Sequence, residues 1–280
     1  MTVRIVTDST ADLLPETATE LGVSVVPLSV IFGEETFREG IDISTDLFYE
    51  KLVRSKQLPT TSAPSVGEFV EAYEDVLKET NEIISIHLSS KLSVTHDNAF
   101  QAARHLSDAG AKIEVFDSGG VSLGMAFLVR AASAAAAQGA TLEEIRKLLD
   151  NMVPRIHILV VLDTLTYLRK GGRIGRARAF LGSVLKVKPL LSIRDGEVIP
   201  EERVRTKKAA QDRLLQIVTS YPNVVEAAVA YSTNAHDAEA LRQRLAEALP
   251  DASITTGRLG PVIGVHGGPG VLGLGVLQGE

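Results

Sequence analysis

The first half of the chain alternates short apolar runs with segments of helical period. RIVTDS at 4–9, VSVVPLSVIF at 23–32, IISIHLSS at 83–90 and KIEVFDS at 112–118 read as strands, being short and rich in β-branched residues. Helices are expected between them. Ser65 with Glu68, and Thr141 with Glu144, match the capping box that opens a helix, and MAFLVRAASAAAAQ at 125–138 is built of strong helix formers, its alanine run inside the helix. Strands separated by helices imply a parallel sheet covered on both faces, with ligands collecting beyond the carboxyl ends of the strands.

The second half has a different pattern. KPLLSIR and EVIPEERVR flank Asp195-Gly196, a strong two-residue hairpin signal, so part of this sheet is antiparallel. Helical segments near 206–220 and 235–248 enclose a strand in VEAAVAYS, and ITTGRLGPVIGVH at 254–266 reads as closing strands. The expected architecture is α/β and two-lobed: a parallel-sheet lobe at about 1–160 and a mixed or antiparallel lobe at about 161–280, joined around HILVVLDTL. No internal repeat or low-complexity linker interrupts it.

Composition narrows the chemistry. Apolar residues make up 45% and charged residues 23% of 280 positions, ordinary for a globular protein, and the absence of tryptophan points to an aliphatic lining for any large cavity. Zero cysteines exclude disulfides, thiolate catalysis and cysteine zinc sites. The N-terminus lacks a basic region followed by an apolar stretch, so a cytoplasmic location is expected. The uncharged window 259–277 carries seven glycines and two prolines, which makes it a poor membrane helix. A net charge of −6 argues against a nucleic-acid partner, yet residues 169–208 hold twelve Lys/Arg against four Asp/Glu. This local +8 marks either a site for an anionic partner or a solvated face.

Several motifs invite a catalytic reading. GVSLG at 120–124 fits the G-x-S-x-G nucleophile elbow around Ser122, and HGGPG at 266–270 resembles an oxyanion loop. In serine hydrolases of that architecture the oxyanion loop comes first, whereas here it follows by 146 residues, so Ser122 is expected to cap the 123–138 helix. GPGVLG at 268–273 leaves too little chain for a dinucleotide-binding unit, and no G-x-x-x-x-G-K-[ST] phosphate loop occurs. The six histidines show no metal-ligand spacing. Asp8 and Asp117 end strands before a serine, where helix capping competes with a role as ligand or base.

Two hydroxyl-rich runs remain. PTTSAPS at 59–65 and SSKLSVTH at 89–96 fall at expected loop or helix-start positions beside the sheet's carboxyl edge. Converging hydroxyls and free backbone amides bind an anionic oxygen group without a formal cation. Ser62 or Ser65, and Ser93, fit helix capping as well. From the residues alone, the anion is a small acid, a phosphate or an acyl carboxylate.

The chain resembles the DegV family over residues 3–279. The resemblance is carried by TDST, PTTSAPS, SSKLSVT, DSGGVSLG, LDTLTYLRKGGRI, LKVKPLLSI and GPVIGVHGGPGVLG, in that order. It implies a two-lobed fold that binds one long-chain fatty acid between the lobes and, as in some members, an acyl-carrying subunit serving a separate ATP-using fatty-acid kinase. Such a chain needs no cofactor, metal or catalytic residue of its own, and transient contact with a membrane surface would suit it. By the same resemblance Thr61 and Ser93 would hold the carboxylate, with Ser62, Val94, His266 and Gly267 in support. Gly267, Gly268 and Gly270 would make a tight turn by taking positive φ. One departure stands out: where the family commonly reads Gly-Thr-Tyr after the motif serine, this chain has Val94-Thr95-His96, and valine there would narrow the entrance or alter the amide geometry. Arg169, Lys170, Arg173, Arg203 and Arg205 are the candidate surface for docking the kinase. The competing expectations are a serine hydrolase using Ser122, and a carrier of another small acid or a regulatory lipid.

Overall fold

The computed structural model describes residues 2–107, 110–182 and 187–280. Leu185 and Lys186, which open the LKVKPLLSI motif, lie outside the described residues. The strands run β1 (Arg4–Asp8), β2 (Val23–Val26), β3 (Ser29–Phe32), β4 (Glu35–Arg38), β5 (Thr60–Ser62), β6 (Glu82–His87) and β7 (Lys112–Asp117) in the first half. They continue as β8 (Ile156–Val161), β9 (Lys188–Arg194), β10 (Glu197–Val204), β11 (Val224–Tyr231), β12 (Ser253–Arg258) and β13 (Leu272–Gln278).

Among the described residues these strands form three sheets. The first is parallel, in the order β2-β1-β6-β7. The second has the order β10-β9-β8-β13-β11-β12, antiparallel throughout except for the last pair. The hairpin between β9 and β10 turns at Asp195 and Gly196, both at positive φ. A small antiparallel sheet, β4-β3-β5, was not expected. It arises because Pro27 divides VSVVPLSVIF: β2 pairs with β1, whereas β3 leaves for the small sheet and pairs with Thr60–Ser62.

Alternation along the strands builds five layers. In the first sheet Val6 and Ile83 face the helices Val66–Leu77 and Thr95–Ser107, while Ile5, Ile84 and Ile86 face the opposite side. There lies the helix Leu123–Ala137, whose residues Leu123–Val129 are all buried. Apolar but for Arg130 and Ser133, it sits between the two large sheets rather than on a surface. The outer face of the six-stranded sheet is covered by the helices Lys207–Ser220 and Ala235–Ala248. Capping boxes at Ser65 and Thr141 are formed as expected.

Two expected closing strands need correction. Only Ser253–Arg258 is a strand; Pro261–Gly267 is a helix opened by proline at its first position. The 259–277 window is accordingly a loop, this helix and β13, and no described helix is long and apolar enough to cross a membrane.

The glycines of GVSLG have a packing role. A Cβ at Gly120 would stand 3.1 Å from Ile158 Cδ1, and one at Gly124 would overlap the same side chain, so both let the start of the central helix lie flush on β8. Gly124→Val is therefore expected to destabilise the fold by about 1–3 kcal/mol through overpacking. A urea unfolding midpoint equal to that of the parent chain would contradict this seating.

Candidate functional site

Four polar residues from distant parts of the chain meet on one cavity. Thr61 lies in the edge strand β5 opposite Val30; its neighbours Thr60 and Ser62 point to solvent, and the alternation turns Thr61 inward. Its Oγ1 is 2.9 Å from Nε2 of His266, in the last turn of the Pro261–Gly267 helix. His266 Nδ1 is buried without a partner, against Gly171. Burial pushes the imidazole down to about 4, and the Arg173 guanidinium acts in the same direction, so the ring is neutral at pH 7.

Ser93 follows β6 and precedes the helix Thr95–Ser107. Its Oγ accepts from Thr95 N at 3.3 Å and shares a 2.8 Å hydrogen bond with Thr95 Oγ1 at the start of that helix, and the residue also lines the cavity. Arg173 ties the two sides together: Nε donates to Leu92 O at 3.0 Å and Nη1 to Gly171 O at 2.9 Å. Read from sequence as a docking residue, it lines the cavity as well. Ser62 is exposed and its hydroxyl donates to Ala63 O at 3.2 Å, while Val94 is 58% exposed and lies outside the lining. Gly267 lines the cavity but stays helical; of the HGGPG glycines only Gly268 and Gly270 take positive φ.

The cavity holds about 1020 Å³ of empty space, including the part open to solvent. Its walls are aliphatic and come from both lobes: Leu28, Leu88 and Val121 from the first, Leu162, Leu191 and Ile193 from the second. Contacts link Thr61, His266, Arg173 and the backbone just before Ser93 into one polar group, at which Arg173 reaches solvent, and the other lining residues are apolar apart from Ser122. This arrangement suits an amphiphile with one polar end.

Ser122 does not cap the central helix. It occupies the position before the helix with φ 55° and ψ −130° and makes no side-chain cap bond; its hydroxyl donates instead to Asp12 Oδ2. Asp12 Oδ1 accepts from Gly260 N at 2.9 Å, and Glu39 Oε1 from Val262 N at 2.8 Å. Two carboxyls of the first lobe thus hold the opening amides of the helix that ends in His266. Glu39 is buried, and its Oε2 has no partner. Desolvation pushes Asp12 up to about 7 and, with the charge of Asp12 beside it, Glu39 up to about 8. No periodicity marks either acid, because the contact is made across more than 200 residues of chain.

A second polar network mimics a hydrolase. Ser85 Oγ is 2.7 Å from His87 Nε2, His87 Nδ1 is 3.0 Å from Asp8 Oδ2, and Tyr73 OH donates to Ser85 at 2.9 Å. All four side chains are fully buried and none lines the cavity, so the network fastens β1, β6 and the helix Val66–Leu77 together. The spacing of Ser85 and His87, two apart in one strand, was its only signal in the sequence. Asp8 caps the short turn at Ser9–Ala11, as expected of a DS pair; Asp117 caps no helix and accepts from Gly119 N at 2.8 Å and Ser90 Oγ at 2.6 Å. On the surface, Arg169 and Arg203 border one groove, with Arg203 4.6 Å over the Phe180 ring, and Lys170 and Arg205 are exposed.

Residues 2–279 match the family model described as an uncharacterised protein of the DegV family. A DegV domain-containing protein of Halalkalibacterium halodurans is 41% identical over 276 residues, covering 97% of each chain. A DegV family protein of Thermus thermophilus, described by its fatty acid binding, superposes with a TM-score of 0.92 at 33% identity, over 99% of this chain and 100% of that one. A stearic acid-binding protein of Eubacterium ventriosum superposes with a TM-score of 0.91 at 28% identity, over 99% and 98%.

The buried acids generate a pH dependence. Both carboxyls titrate above their unfolded values, near 4, so the folded state holds more protons than the unfolded one between about pH 4 and pH 8. Their contribution is complete below that window and is lost as pH rises through it. Glu39→Gln keeps an acceptor for Val262 N and removes one titration, so its stability relative to the parent is expected to increase from pH 5 to pH 8. Parallel urea-midpoint profiles for the two proteins would refute the assignment.

Proposed function

Since the chain belongs to the DegV family, we propose that it is a cytoplasmic carrier of one long-chain fatty acid, held with its tail in the aliphatic cavity and its carboxylate at the polar end. What carries the proposal is one aliphatic cavity on whose lining the Thr61 and Ser93 hydroxyls, the neutral His266 imidazole and the Arg173 guanidinium come together. The chain's likeness to proteins described as fatty acid binding supports it. Thr61 and Ser93 donate to the carboxylate. His266, kept neutral by its burial, orients Thr61, and the Gly267 region brings backbone close to the headgroup.

The tail supplies affinity and the head supplies orientation. A C16–C18 chain gains on the order of 12 kcal/mol at ~0.8 kcal/mol per buried CH₂, against an association cost of roughly 4–15 kcal/mol. Hydrogen bonds to a charged group contribute about 1.5–3 kcal/mol each, enough to choose which end of the ligand faces out.

The finer proposal is that the bound acid is presented to a separate kinase, with no catalysis by this chain. The exposed cations Arg169, Lys170, Arg203 and Arg205, with Arg173 on the cavity lining, have the sign needed to meet an acidic partner or a phosphate in transfer. The hydrolase alternative is opposed by the hydrogen bonding of Ser122: its side-chain partner is Asp12, not a histidine.

Native mass spectrometry of freshly purified protein is expected to show a mass excess of one acyl chain. The Thr61→Val/Ser93→Ala double variant should lose it, each lost bond weakening binding by more than tenfold. Retention of the ligand by the double variant would reject the headgroup assignment, and covalent labelling of Ser122 by a serine-directed phosphonate would favour a hydrolase. Arg169→Glu/Arg203→Glu is expected to leave acyl binding intact while abolishing coupling to the kinase; unchanged coupling would remove the docking proposal.

A further inference from the structure

The strand register describes one wall of the cavity side chain by side chain. Across the face of the six-stranded sheet that meets the central helix, one row runs Leu191, Val160, Gly273, Ala230, and the next runs Ile193, Ile158, Gly275, Ala228. Directly paired residues share a face, so side-chain bulk falls from Leu and Ile on β9, through Val and Ile on β8, to nothing on β13 and a methyl group on β11. Leu272, Leu274 and Val276 of β13 belong to the core on the outer side. The inner face therefore has a trough along β13.

The two glycines of the trough differ in what covers them. A Cβ at Gly275 would stand 3.1 Å from Leu123 Cβ and 3.1 Å from Phe127 Cε2, so the central helix fills the trough there. At Gly273 the three nearest atoms all belong to the sheet itself: Leu159 O at 3.2 Å, Ala230 Cβ at 3.6 Å and Val160 Cγ2 at 3.8 Å. Gly273, Gly275 and Leu123 line the cavity, and Phe127 stands buried behind Leu123. Phe127 is also packed by Arg130, whose guanidinium lies 5.2 Å from the ring and whose Nη2 donates to Glu226 Oε2 of β11 at 2.7 Å. Along the strand, open and filled positions are about 7 Å apart, a span of a few methylene groups.

We infer that Gly273 and the plug formed by Leu123 and Phe127 set the length of acyl chain this protein accepts: the tail passes over the bare backbone at Gly273 and stops against the plug above Gly275. The inference rests on the fatty-acid proposal above. It assigns opposite effects to two substitutions. Gly273→Ala places a methyl group on the trough floor, at a backbone conformation open to any L-residue, and favours shorter chains. Leu123→Ala opens the space in front of Phe127 and favours longer ones.

The test loads delipidated full-length protein with an equimolar series of saturated acids from lauric to behenic and reads bound masses by native mass spectrometry. The preferred acid is expected to move at least one step of the even-numbered series down for Gly273→Ala and one step up for Leu123→Ala. Phe127→Leu, a milder change in the same plug, is expected to shift the preference up and supplies the second arm should Leu123→Ala fail to fold by circular dichroism. Folded variants whose preferences match the parent would overturn this inference and leave the fatty-acid proposal standing. Failure of the parent to bind any acid of the series would overturn both.

Discussion

The constraint on which this structure turns is that one helix, Leu123–Ala137, must bury the whole circumference of its first half, Leu123–Val129. Its neighbours on opposite sides are two sheets of different construction, one parallel and one mixed, so neither lobe has a complete core without it. Close approach is achieved with glycine: Gly120 and Gly124 make room for Ile158, and Gly257 and Gly275 make room for Leu123. Interiors pack to crystal-like density, so contact this tight at one end leaves space only where the helix departs from the sheet. The cavity is that space, and its aliphatic walls come from the six-stranded sheet, from the start of the helix at Leu123 and from segments that follow strands of the first lobe, at Leu28, Leu88 and Val121.

At the open end the electrostatics are muted. The hydroxyls are uncharged, the His266 ring is neutral because burial disfavours its cation, and Arg173 contributes the one formal charge among the described polar lining residues. A site that holds a carboxylate by such means can release it without breaking a desolvated ion pair, whose partner would be costly to leave alone. Behind it, Asp12 and Glu39 hold the amides of the helix that carries His266, so the placement of that ring depends on two acids outside the cavity lining.

Polar constellations in this molecule show why residue type alone does not identify chemistry. Ser85, His87 and Asp8 are connected as in a hydrolase triad, yet they are sealed within the first lobe and join its elements. Ser122 lies in an elbow-like motif with an unusual backbone, yet its glycines answer to Ile158 and its hydroxyl to Asp12. In both cases access and neighbours decide the role, and both are properties of packing.

Local signals determined a good deal. Alternating runs specified β1, β6 and β7, capping boxes placed the helices after Ser65 and Thr141, and Asp195-Gly196 specified its hairpin, because each depends on residues a few positions apart. Family motifs singled out Thr61, Ser93 and His266, which the fold brings onto one cavity. Only the tertiary structure decided that Pro27 sends β3 into a third sheet, that GPVIGVH is a helix, and that Arg173 turns toward the cavity while Val94 turns away. It alone brought Asp12 and Glu39 to Gly260 and Val262. Short-range pattern records what a segment prefers by itself, whereas these outcomes were set by which distant surface each segment had to bury, and that information is spread over both lobes at once.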